Sequence, residues 1–364
     1  MNLFPELKKR YCNETLSAKE AQRQAEFIAF GPAIFQTARI MLNWGIMDML
    51  RDSDNGMTVI EVAEKAQISE YAAKCLLEAS LSIGIVLVDP ETNRFTISKT
   101  GWFLINDPAT RVNIDFNHDV NYRGWYYLDE SLKNGKPEGL KTLGNWPTIY
   151  EGLSTLPKEV QNSWFAFDHF YSDSSFEQAL DIVFASNPRT LLDVGGNTGR
   201  WALQCVGHDH NVKVTILDLP QQIEMMQNNI ADKYGADRIE GLGINLLDEN
   251  AKMPEECRFD AIWMSQFLDC FSEEQIVSIL KRAVQVMDAD SRLYIMETLW
   301  DRQRFEPASL CLTLTSLYFT AMANGNSKMY HSEDLYVLIE KAGLKVETTH
   351  DRLGQGHSII VCKK

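Results

Sequence analysis

The residues with the clearest chemistry form a short run of small and acidic residues after an apolar stretch, at 191–199. Asp193, Gly195, Asn197 and Gly199 follow the spacing D-x-G-x-N-x-G. Small residues in a turn after a strand let the backbone approach a ligand closely. A helix that begins there presents free N–H groups and the positive end of its dipole. The run therefore predicts a site for a polar or anionic ligand.

Asp218 closes the next predicted strand, 19 residues after Gly199. A carboxylate at this place accepts hydrogen bonds from the ribose hydroxyls of a nucleoside cofactor. The glycine spacing differs from the G-x-G-x-x-G fingerprint of dinucleotide-binding turns. The two features together predict a nucleoside cofactor that is not a dinucleotide.

A parallel sheet is needed to bring the turn and Asp218 together. Alternating patterns predict strands at 190–196, 214–219, 259–268 and 291–299, helices at 198–206, 220–233, 272–287 and 331–344, and a C-terminal hairpin. Such alternation is typical of a mostly parallel sheet with helices on both faces. The predicted fold class is α/β, with a Rossmann-like ligand-binding domain at 186–364.

Residues 1–110 have a helical pattern that ends in a hairpin. Thr58 and Glu61 predict a capping box at the start of a short helix, Ser69 caps a second helix, and 85–97 predicts two strands. This order is a winged-helix arrangement. The second helix, 69–82, has one Lys, two Glu and no Arg, so it lacks the cations that contact DNA phosphates. We therefore predict a structural or dimerisation domain, with an uncharged stripe in helix 30–50 as the dimer contact.

The segment 111–185 is predicted to be a helical linker and substrate-pocket region, and it is rich in aromatic residues. Two interpretations stay open for these rings: the core of a helix bundle, or the lining of a pocket for a flat organic substrate.

Composition limits the partners. Of the 364 residues, 45% are hydrophobic, and the net charge of −15 disfavours nucleic acid and anionic membranes. No apolar run approaches the ~18 residues of a membrane span, and the N-terminus has no signal-peptide pattern. Seven scattered Cys without a CxxC pair predict reduced, mostly buried thiols and a cytoplasmic location. His208 and His210 lack a third ligand nearby, so no metal site is predicted.

The run LLDVGGNTG, followed by LDLP at 217–220, resembles motif I and the acidic motif of class I methyltransferases that use S-adenosylmethionine (SAM). Asn197 replaces the middle glycine, and Asn tolerates left-handed backbone better than most residues. With the winged-helix part, nearly the whole chain resembles the O-methyltransferase family of caffeate, flavonoid and hydroxyindole enzymes and their bacterial relatives. The resemblance implies SAM as cofactor, a homodimer, and O-methylation of a small aromatic or polyketide-like molecule.

The resemblance also implies roles for individual residues. Gly195 and Gly199 are expected to face the methionine part of SAM, Asp218 the ribose, and Leu219 the adenine. The other expected cofactor residues are Asp193 in motif I, Asn245 and Leu246 beside the adenine, and Tyr171 and Ser175 before motif I.

The catalytic part departs from the family pattern. The family's general-base His is replaced by Asp269, one supporting Glu matches Glu297, and the other is replaced by Met329. Three hypotheses follow. Asp269 is a base whose pKa is raised, His331 or His169 takes over, or the reaction relies on positioning with little base catalysis.

Structural interpretations stand beside these catalytic ones. They are a helix N-cap for Asp269, strand-end solvation for Glu297, and the N-terminal end of a helix for His331. The loss of the His also keeps two other functions open: a SAM-binding protein without activity, and SAM-dependent chemistry other than methylation, such as decarboxylation or hydroxylation.

Overall fold

The computed structural model describes residues 2–248, 250–254 and 258–364, with the backbone alone of Ser172. The chain forms two compact units. One is Glu14–Asp119, and the other combines the N-terminal residues up to Asn13 with Val120–Lys364. The division predicted at 110 and 185 stays a prediction. Among the described helices, none is long and apolar enough to cross a membrane.

The α-helices before the sheet occupy much of the first half of the chain. They are α1 Pro5–Tyr11, α2 Ala18–Ala29, α3 Gly31–Asn43, α4 Ile46–Arg51, α5 Val59–Ala66, α6 Glu70–Ser82, α7 Lys99–Asn106, α8 Pro108–Phe116, α9 Leu128–Asn134, α10 Ile149–Gly152, α11 Lys158–Ser172 and α12 Phe176–Phe184. Two strands, β1 Val86–Asp89 and β2 Arg94–Ile97, form an antiparallel hairpin between α6 and α7.

Strands and helices alternate in the second half. The strands are β3 Thr190–Val194, β4 Lys213–Asp218, β5 Ile239–Gly243, β6 Ala261–Ser265, β7 Arg292–Glu297, β8 Lys345–Leu353 and β9 His357–Lys363. The helices are α13 Arg200–His208, α14 Pro220–Ile230, α15 Glu273–Gln285, α16 Glu306–Tyr318 and α17 Ser332–Lys341.

The unit 14–119 contains the predicted order of helix, turn, helix and hairpin. The Thr58–Glu61 capping box is present, and the Ser69 hydroxyl accepts a hydrogen bond from the N–H of Ala72. Both guanidinium nitrogens of Arg94 donate to the Glu61 carboxylate at 2.9 Å, so the hairpin is fixed to the start of α5. Buried apolar side chains under these elements form their own core: Met41, Ile46, Met47, Leu50, Val62, Leu77 and Phe95.

The seven-stranded sheet has the order β5-β4-β3-β6-β7-β9-β8. The five strands from β5 to β7 pair in parallel, and the C-terminal hairpin adds β9 and β8 antiparallel. The predicted mostly parallel α/β fold is therefore confirmed. The chain reverses its winding direction between β3 and β6, where open α/β sheets bind ligands at the carboxyl ends of the strands.

The sequence pattern does not predict β5. Its sequence, IEGLG, contains two glycines and a charged residue, so it lacks the apolar pattern that predicts a strand. Pairing with β4 decides its conformation: residues 239–243 lie in register with 214–218.

Two apolar layers cover the faces of the sheet. Residues of α15 and α17 fill one layer, and residues of α12, α13 and α14 fill the other. In the second layer the rings of Trp201 and Trp263 stack with centroids 4.2 Å apart. The stacked rings therefore pack α13 against β6.

The thiols are less buried than expected. Among the six described cysteines, all free, Cys205 and Cys362 are buried, whereas Cys12 and Cys75 are exposed. Cys257 lies outside the described residues.

The N-cap of α15 is Ser272, not Asp269. The Ser272 hydroxyl accepts from the N–H of Gln275 at 3.3 Å, and the Gln275 side chain accepts from the N–H of Ser272 at 2.9 Å. Asp269 lies three residues earlier, on the short 3₁₀ turn Leu268–Cys270. The interpretation of Asp269 as a helix cap is therefore wrong, because a complete capping box already satisfies the helix end.

Ser272→Ala is expected to destabilise the fold by about 1 kcal/mol, the usual cost of losing an N-cap hydroxyl. Chemical denaturation followed by circular dichroism measures this free energy. Ser272→Asp is the matched control, because it keeps an acceptor at the cap. Equal stabilities for the Ala and Asp variants would contradict this account of the cap.

Candidate active site

The turn after β3 is built from backbone conformations that few side chains tolerate. Gly195, Asn197 and Gly199 have φ values of +78°, +48° and +80°. A Cβ atom on Gly195 would lie 2.4 Å from the ring of Phe267, so the turn is in close contact with the chain that follows β6. Asn197 occupies the left-handed region, as its tolerance of that conformation predicted.

Asp218, at the end of β4, fixes this turn. One carboxylate oxygen accepts from the N–H of Asn197 at 2.9 Å, and the other accepts from the N–H of Leu219 at 2.7 Å. Burial raises the pKa of Asp218, and these two hydrogen bonds lower it. A carboxylate has about four lone-pair positions, so two remain for the hydroxyls of a ribose.

Asp193 lies beneath the turn. It is 2% exposed, and its Oδ2 atom has no hydrogen-bond partner among the described residues. Burial, and then the charge of Asp218, raise the pKa of Asp193 to about 8. Asp193 is therefore a buried carboxyl that is mostly protonated at neutral pH, in contact with the turn through Gly196.

A cavity of about 90 Å³ opens at the carboxyl ends of β3 and β6. The turn residues 195–198 form one wall, and α11, α13 and the end of β6 form the others. Arg200 and Asp173, which pair at 2.7 Å, both line the cavity. The cavity therefore combines a cation with several carboxyls, which suits a small zwitterionic group.

Ser175 lies behind this cavity and is not among its lining residues. Its hydroxyl is 3.0 Å from Nδ1 of His357, and Nε2 of His357 is 3.3 Å from Oε1 of Gln266. Burial lowers the pKa of His357 to about 3, so the imidazole is neutral. Gln266 lines the cavity and has a strained φ of +45°. Ser175 and His357 therefore hold a strained residue of the cavity wall through a chain of hydrogen bonds.

The other expected cofactor residues lie outside the lining of this cavity. Tyr171, on α11, packs against the ring of Phe167. Asn245 is exposed, and its side chain accepts from the N–H of Leu247, whereas Leu246 is buried in the core. Their contacts with the adenosine part of the cofactor stay predictions.

Asp269 is a buried carboxyl on the turn that follows β6. It is 5% exposed, and the thiol of Cys270 donates to its Oδ1 at 3.4 Å. Burial raises the pKa of Asp269 to about 7. An ordinary Asp, with a pKa of about 3.9, is a weak base, but a desolvated one accepts protons effectively near neutral pH.

Glu297, at the end of β7, holds the turn that carries Asp269. Its Oε1 atom accepts from the N–H groups of Phe267 at 3.1 Å and Leu268 at 2.8 Å. Burial, and then the charge of Asp269, raise the pKa of Glu297 well above its usual value. The interpretation of Glu297 as a solvated strand end is wrong, because the side chain is 4% exposed.

The two histidines differ in their surroundings. His331 is the N-cap of α17, where its Nδ1 atom accepts from the N–H of Glu333 at 3.1 Å. The prediction that it stands at a helix N-terminus is thus confirmed. His169 lines the cavity, and burial lowers its pKa, so it is neutral there. Met329, which replaces the second family Glu, is buried and contacts the hydroxyl of Thr298.

Asp168 is a cavity residue that the sequence pattern did not indicate. This residue lies on α11 and lines the cavity. Burial, and then the charge of Asp269, raise the pKa of Asp168 to about 7. The sequence contained one signal, because an acid directly follows the aromatic run Phe165-Ala166-Phe167. An aromatic helix by itself, however, does not predict which side chains surround that acid.

Two family models match the chain. A Dimerisation2-like domain matches residues 22–95, and an O-methyltransferase domain matches residues 125–345.

Curated relatives are similar at low identity. Norreticuline-7-O-methyltransferase of Papaver somniferum is 28% identical over 222 residues, which cover 60% of this chain and 57% of that protein. The match thus spans little more than half of the Papaver enzyme. Mitomycin biosynthesis 6-O-methyltransferase of Streptomyces lavendulae is 22% identical over 92% of both chains.

Solved structures share the fold. The mitomycin 7-O-methyltransferase aligns with a TM-score of 0.69 and 19% identity, covering 94% of this chain and 98% of that one. Human N-acetylserotonin methyltransferase in complex with SAM aligns with a TM-score of 0.64 and 17% identity, covering 96% and 99%.

Asp218→Ala is expected to weaken SAM binding by about 1–3 kcal/mol, the range for hydrogen bonds to a charged group. Isothermal titration calorimetry with SAM and with S-adenosylhomocysteine measures the loss. Asp237→Asn serves as the control, because it removes a carboxylate from a short 3₁₀ turn outside the cavity. An unchanged affinity in Asp218→Ala would remove this residue from the cofactor site.

Proposed function

The chain belongs to the O-methyltransferase family whose domain model matches residues 125–345, and on this premise we propose that it methylates an oxygen of a small aromatic or polyketide-like molecule. SAM is the methyl donor. The observation that carries the proposal is a buried carboxyl, Asp269, on the chain segment that closes over the cofactor turn. The relatives reported above are O-methyltransferases by name, of norreticuline and of mitomycin biosynthesis.

The residues present fit the cofactor. Asp218 offers acceptors for ribose hydroxyls, and the turn residues 195–198 line a cavity with both signs of charge. When bound, SAM supplies an electrophilic methyl group on a positively charged sulfur. The Oδ2 atom of Asp193 is buried and has no hydrogen-bond partner among the described residues. A donor group of the cofactor would supply that partner.

Asp269 is the proposed general base. An acceptor phenol has a pKa of about 10, so its oxygen becomes a stronger nucleophile as it loses the proton. Asp269 takes that proton because desolvation makes its carboxylate more basic. Glu297 fixes the backbone at Phe267 and Leu268, and thus orients Asp269 without touching the acceptor.

This assignment favours methylation over a SAM-binding protein without activity, and the family match favours methylation over other SAM-dependent chemistry. A SAM-binding protein without activity has no need for a buried carboxyl at the base position. The role proposed for Asp269 also requires an acceptor hydroxyl that arrives protonated, since a carboxylate acceptor is already ionised and needs no base.

The activity is tested by incubating the protein with methyl-labelled SAM and a set of phenols, catechols and carboxylic acids. We expect labelled O-methyl product from a phenol or catechol. Transfer only to carboxylic acids would contradict the base role, and consumption of SAM without methylated product would overturn the proposed function.

Asp269→Asn is expected to lower kcat by about 10²–10⁴-fold, the usual contribution of general-base catalysis. In the wild type, kcat/KM should rise with pH as the carboxyl, with a pKa of about 7, ionises; the variant should lose that rise. The control is Glu273→Gln, which removes an exposed carboxyl four residues later. A loss of less than threefold would mean that positioning or another base drives the reaction.

A homodimer through residues 1–110 is the expected assembly, supported by the matching Dimerisation2-like domain. Ile28, Phe30 and Trp44 are 73%, 64% and 46% exposed on this part of the chain, and large exposed apolar side chains in one region favour an interface. The cytoplasmic location predicted from the sequence is also part of the proposal.

Light scattering should give twice the chain mass of 41.5 kDa. Phe30→Glu is expected to shift the protein toward the monomer, because it adds a charge to an apolar contact. Tyr234→Lys, at a side chain 70% exposed in the other unit, is the control and should leave the mass unchanged. A wild-type monomer at micromolar concentration would refute the dimer.

A further inference from the structure

His357, the first residue of β9, lies behind the cofactor cavity and is not among its lining residues. It is fully buried, as is Ser175, whose hydroxyl lies 3.0 Å from Nδ1 of the ring. On the other side of the ring, Nε2 is 3.3 Å from Oε1 of Gln266, which lines the cavity and is half-buried. A buried imidazole thus connects a residue of the cavity wall to the short turn between α11 and α12.

The turn of the C-terminal hairpin fixes the position of this ring. The N–H groups of residues 354 and 355 donate to the side chains of Gln178 and Ser174, at 2.9 and 3.2 Å. The carbonyl of residue 356 accepts from the side-chain amide of Gln303 at 2.8 Å. Three successive residues before His357 are therefore each held by a hydrogen bond, so the imidazole has a defined place behind the wall.

Hydrogen-bond chemistry determines which end of the Gln266 amide faces the cavity. An amide oxygen can only accept, so Nε2 of His357 carries the proton of the hydrogen bond between them. Nδ1 of the neutral ring is then an acceptor, and the Ser175 hydroxyl donates to it. The amide oxygen is thus engaged on the His357 side. The amide nitrogen, which has no hydrogen-bond partner among the described residues, is left for the cavity.

The backbone of Gln266 is strained at this point. Its φ of +45° lies in the left-handed region, which residues other than Gly adopt only where the surroundings enforce it. Its N–H group donates to the carbonyl of Met296 on β7 at 2.9 Å, and this bond to the neighbouring strand holds the conformation. Strain of this kind concentrates at sites that bind ligands.

The charged residues of the cavity leave a bound carboxylate without a free cation. Three acids line the cavity, and they attract an ammonium group and repel a carboxylate: Asp168, Asp173 and Asp193. Arg200 also lines it, but its guanidinium is already paired with Asp173 at 2.7 Å. A zwitterionic group in this cavity therefore needs a neutral donor for its carboxylate.

The Gln266 amide nitrogen is such a donor. The hydroxyls of Thr198 and Ser265 line the cavity as well, but a hydroxyl rotates and accepts as readily as it donates. The amide nitrogen only donates, and the hydrogen bond to His357 fixes its direction. A donor that is already oriented loses less entropy on binding than a mobile one.

We propose that His357 is a positioning residue of the cofactor site, which holds the Gln266 amide so that its nitrogen donates to the α-carboxylate of SAM. The inference rests on the proposed function in one respect, the identity of the cofactor. It adds Gln266 as a residue that recognises the carboxylate, and it gives the C-terminal hairpin a role in cofactor binding.

The first test reads the tautomer of His357 in the protein without ligand. Nitrogen-15 NMR of histidine-labelled protein distinguishes a proton on Nε2 from one on Nδ1, and the spectrum of His357→Gln assigns the signal by its loss. We expect the proton on Nε2, with a signal that shifts in Gln266→Leu. The control, Gln285→Leu, removes an exposed amide at the end of α15 and should leave the signal unchanged. A proton on Nδ1 would reverse the amide and overturn the inference.

The second test compares two ligands by isothermal titration calorimetry: S-adenosylhomocysteine, and its decarboxylated analogue, which keeps the ammonium group. Gln266→Leu should weaken binding of S-adenosylhomocysteine about tenfold or more, as expected for a lost hydrogen bond to a charged group. Binding of the analogue should change less than twofold. Gln266→Glu should weaken binding of S-adenosylhomocysteine at least as much, because it places a carboxylate against a carboxylate. Gln285→Leu again serves as the control.

The role of His357 is tested by two variants that differ in where they keep an amide. His357→Gln can place a donor near the position of Nε2, whereas the shorter His357→Asn reaches only the position of Nδ1. Affinity for S-adenosylhomocysteine should therefore fall further in His357→Asn than in His357→Gln. The double variant with Gln266→Leu should bind no more weakly than Gln266→Leu alone, because His357 acts through Gln266.

The outcomes separate this inference from the proposed function. Equal losses for both ligands in Gln266→Leu, or additive losses in the double variant, would overturn it. If the His357 variants do not fold, the tautomer and the Gln266 variants still decide. A wild type that binds S-adenosylhomocysteine in the expected pattern but transfers no methyl group to any acceptor would reject the proposed function and leave this inference standing. A wild type that binds neither ligand would reject both.

Discussion

Desolvation of carboxyl groups at one edge of the sheet is the constraint on which the rest of the site depends. Asp193, Asp218, Asp269 and Glu297 follow or end neighbouring strands, and burial raises the pKa of each. Four carboxyl groups in a site with little water cost folding free energy unless their charges are neutralised or compensated. A cofactor with a positively charged sulfur and an ammonium group provides that compensation. The site is thus electrostatically suited to SAM.

The fold reduces this cost by using the backbone as a partner. Asp218 accepts from the N–H of Asn197 in the motif turn and from the N–H of Leu219 after β4, and Glu297 accepts from two N–H groups of the turn after β6. Each carboxyl therefore gains hydrogen bonds and fixes a loop at the same time. The close approach of Gly195 to the ring of Phe267 shows that the cofactor turn and the base turn pack against each other.

Replacement of the family's His by Asp269 fits the same electrostatics. A protonated His would add a cation next to Glu297, whereas Asp269 adds a further acid to a site already rich in acids. In the proposed role, Asp269 functions as a base because desolvation makes its carboxylate more basic. In the proposed mechanism, the departure from the family pattern thus changes the chemical type of the base and keeps its position after β6.

The sequence by itself determined the features that depend on local geometry. The motif turn, Asp218 at the end of its strand, the capping boxes at Thr58 and the order of strands and helices follow from residue types at short spacing, because backbone conformation and capping involve neighbours in the chain. The family resemblance added the position of Asp269 and Glu297. Only the tertiary structure decided what these acids can do.

Strand order and helix packing set how deeply a side chain is buried and which distant side chains lie near it. No local sequence pattern encodes either property. Asp168 lies on α11, ahead of the sheet in the chain, yet the fold places it in the lining of the same cavity as the turn residues 195–198. The same holds for β5, whose glycine-rich segment becomes a strand only by pairing with β4, and for Ser175, which meets His357 across the molecule. A pKa is a property of such surroundings, and for that reason the base could be located in the sequence but its strength could not.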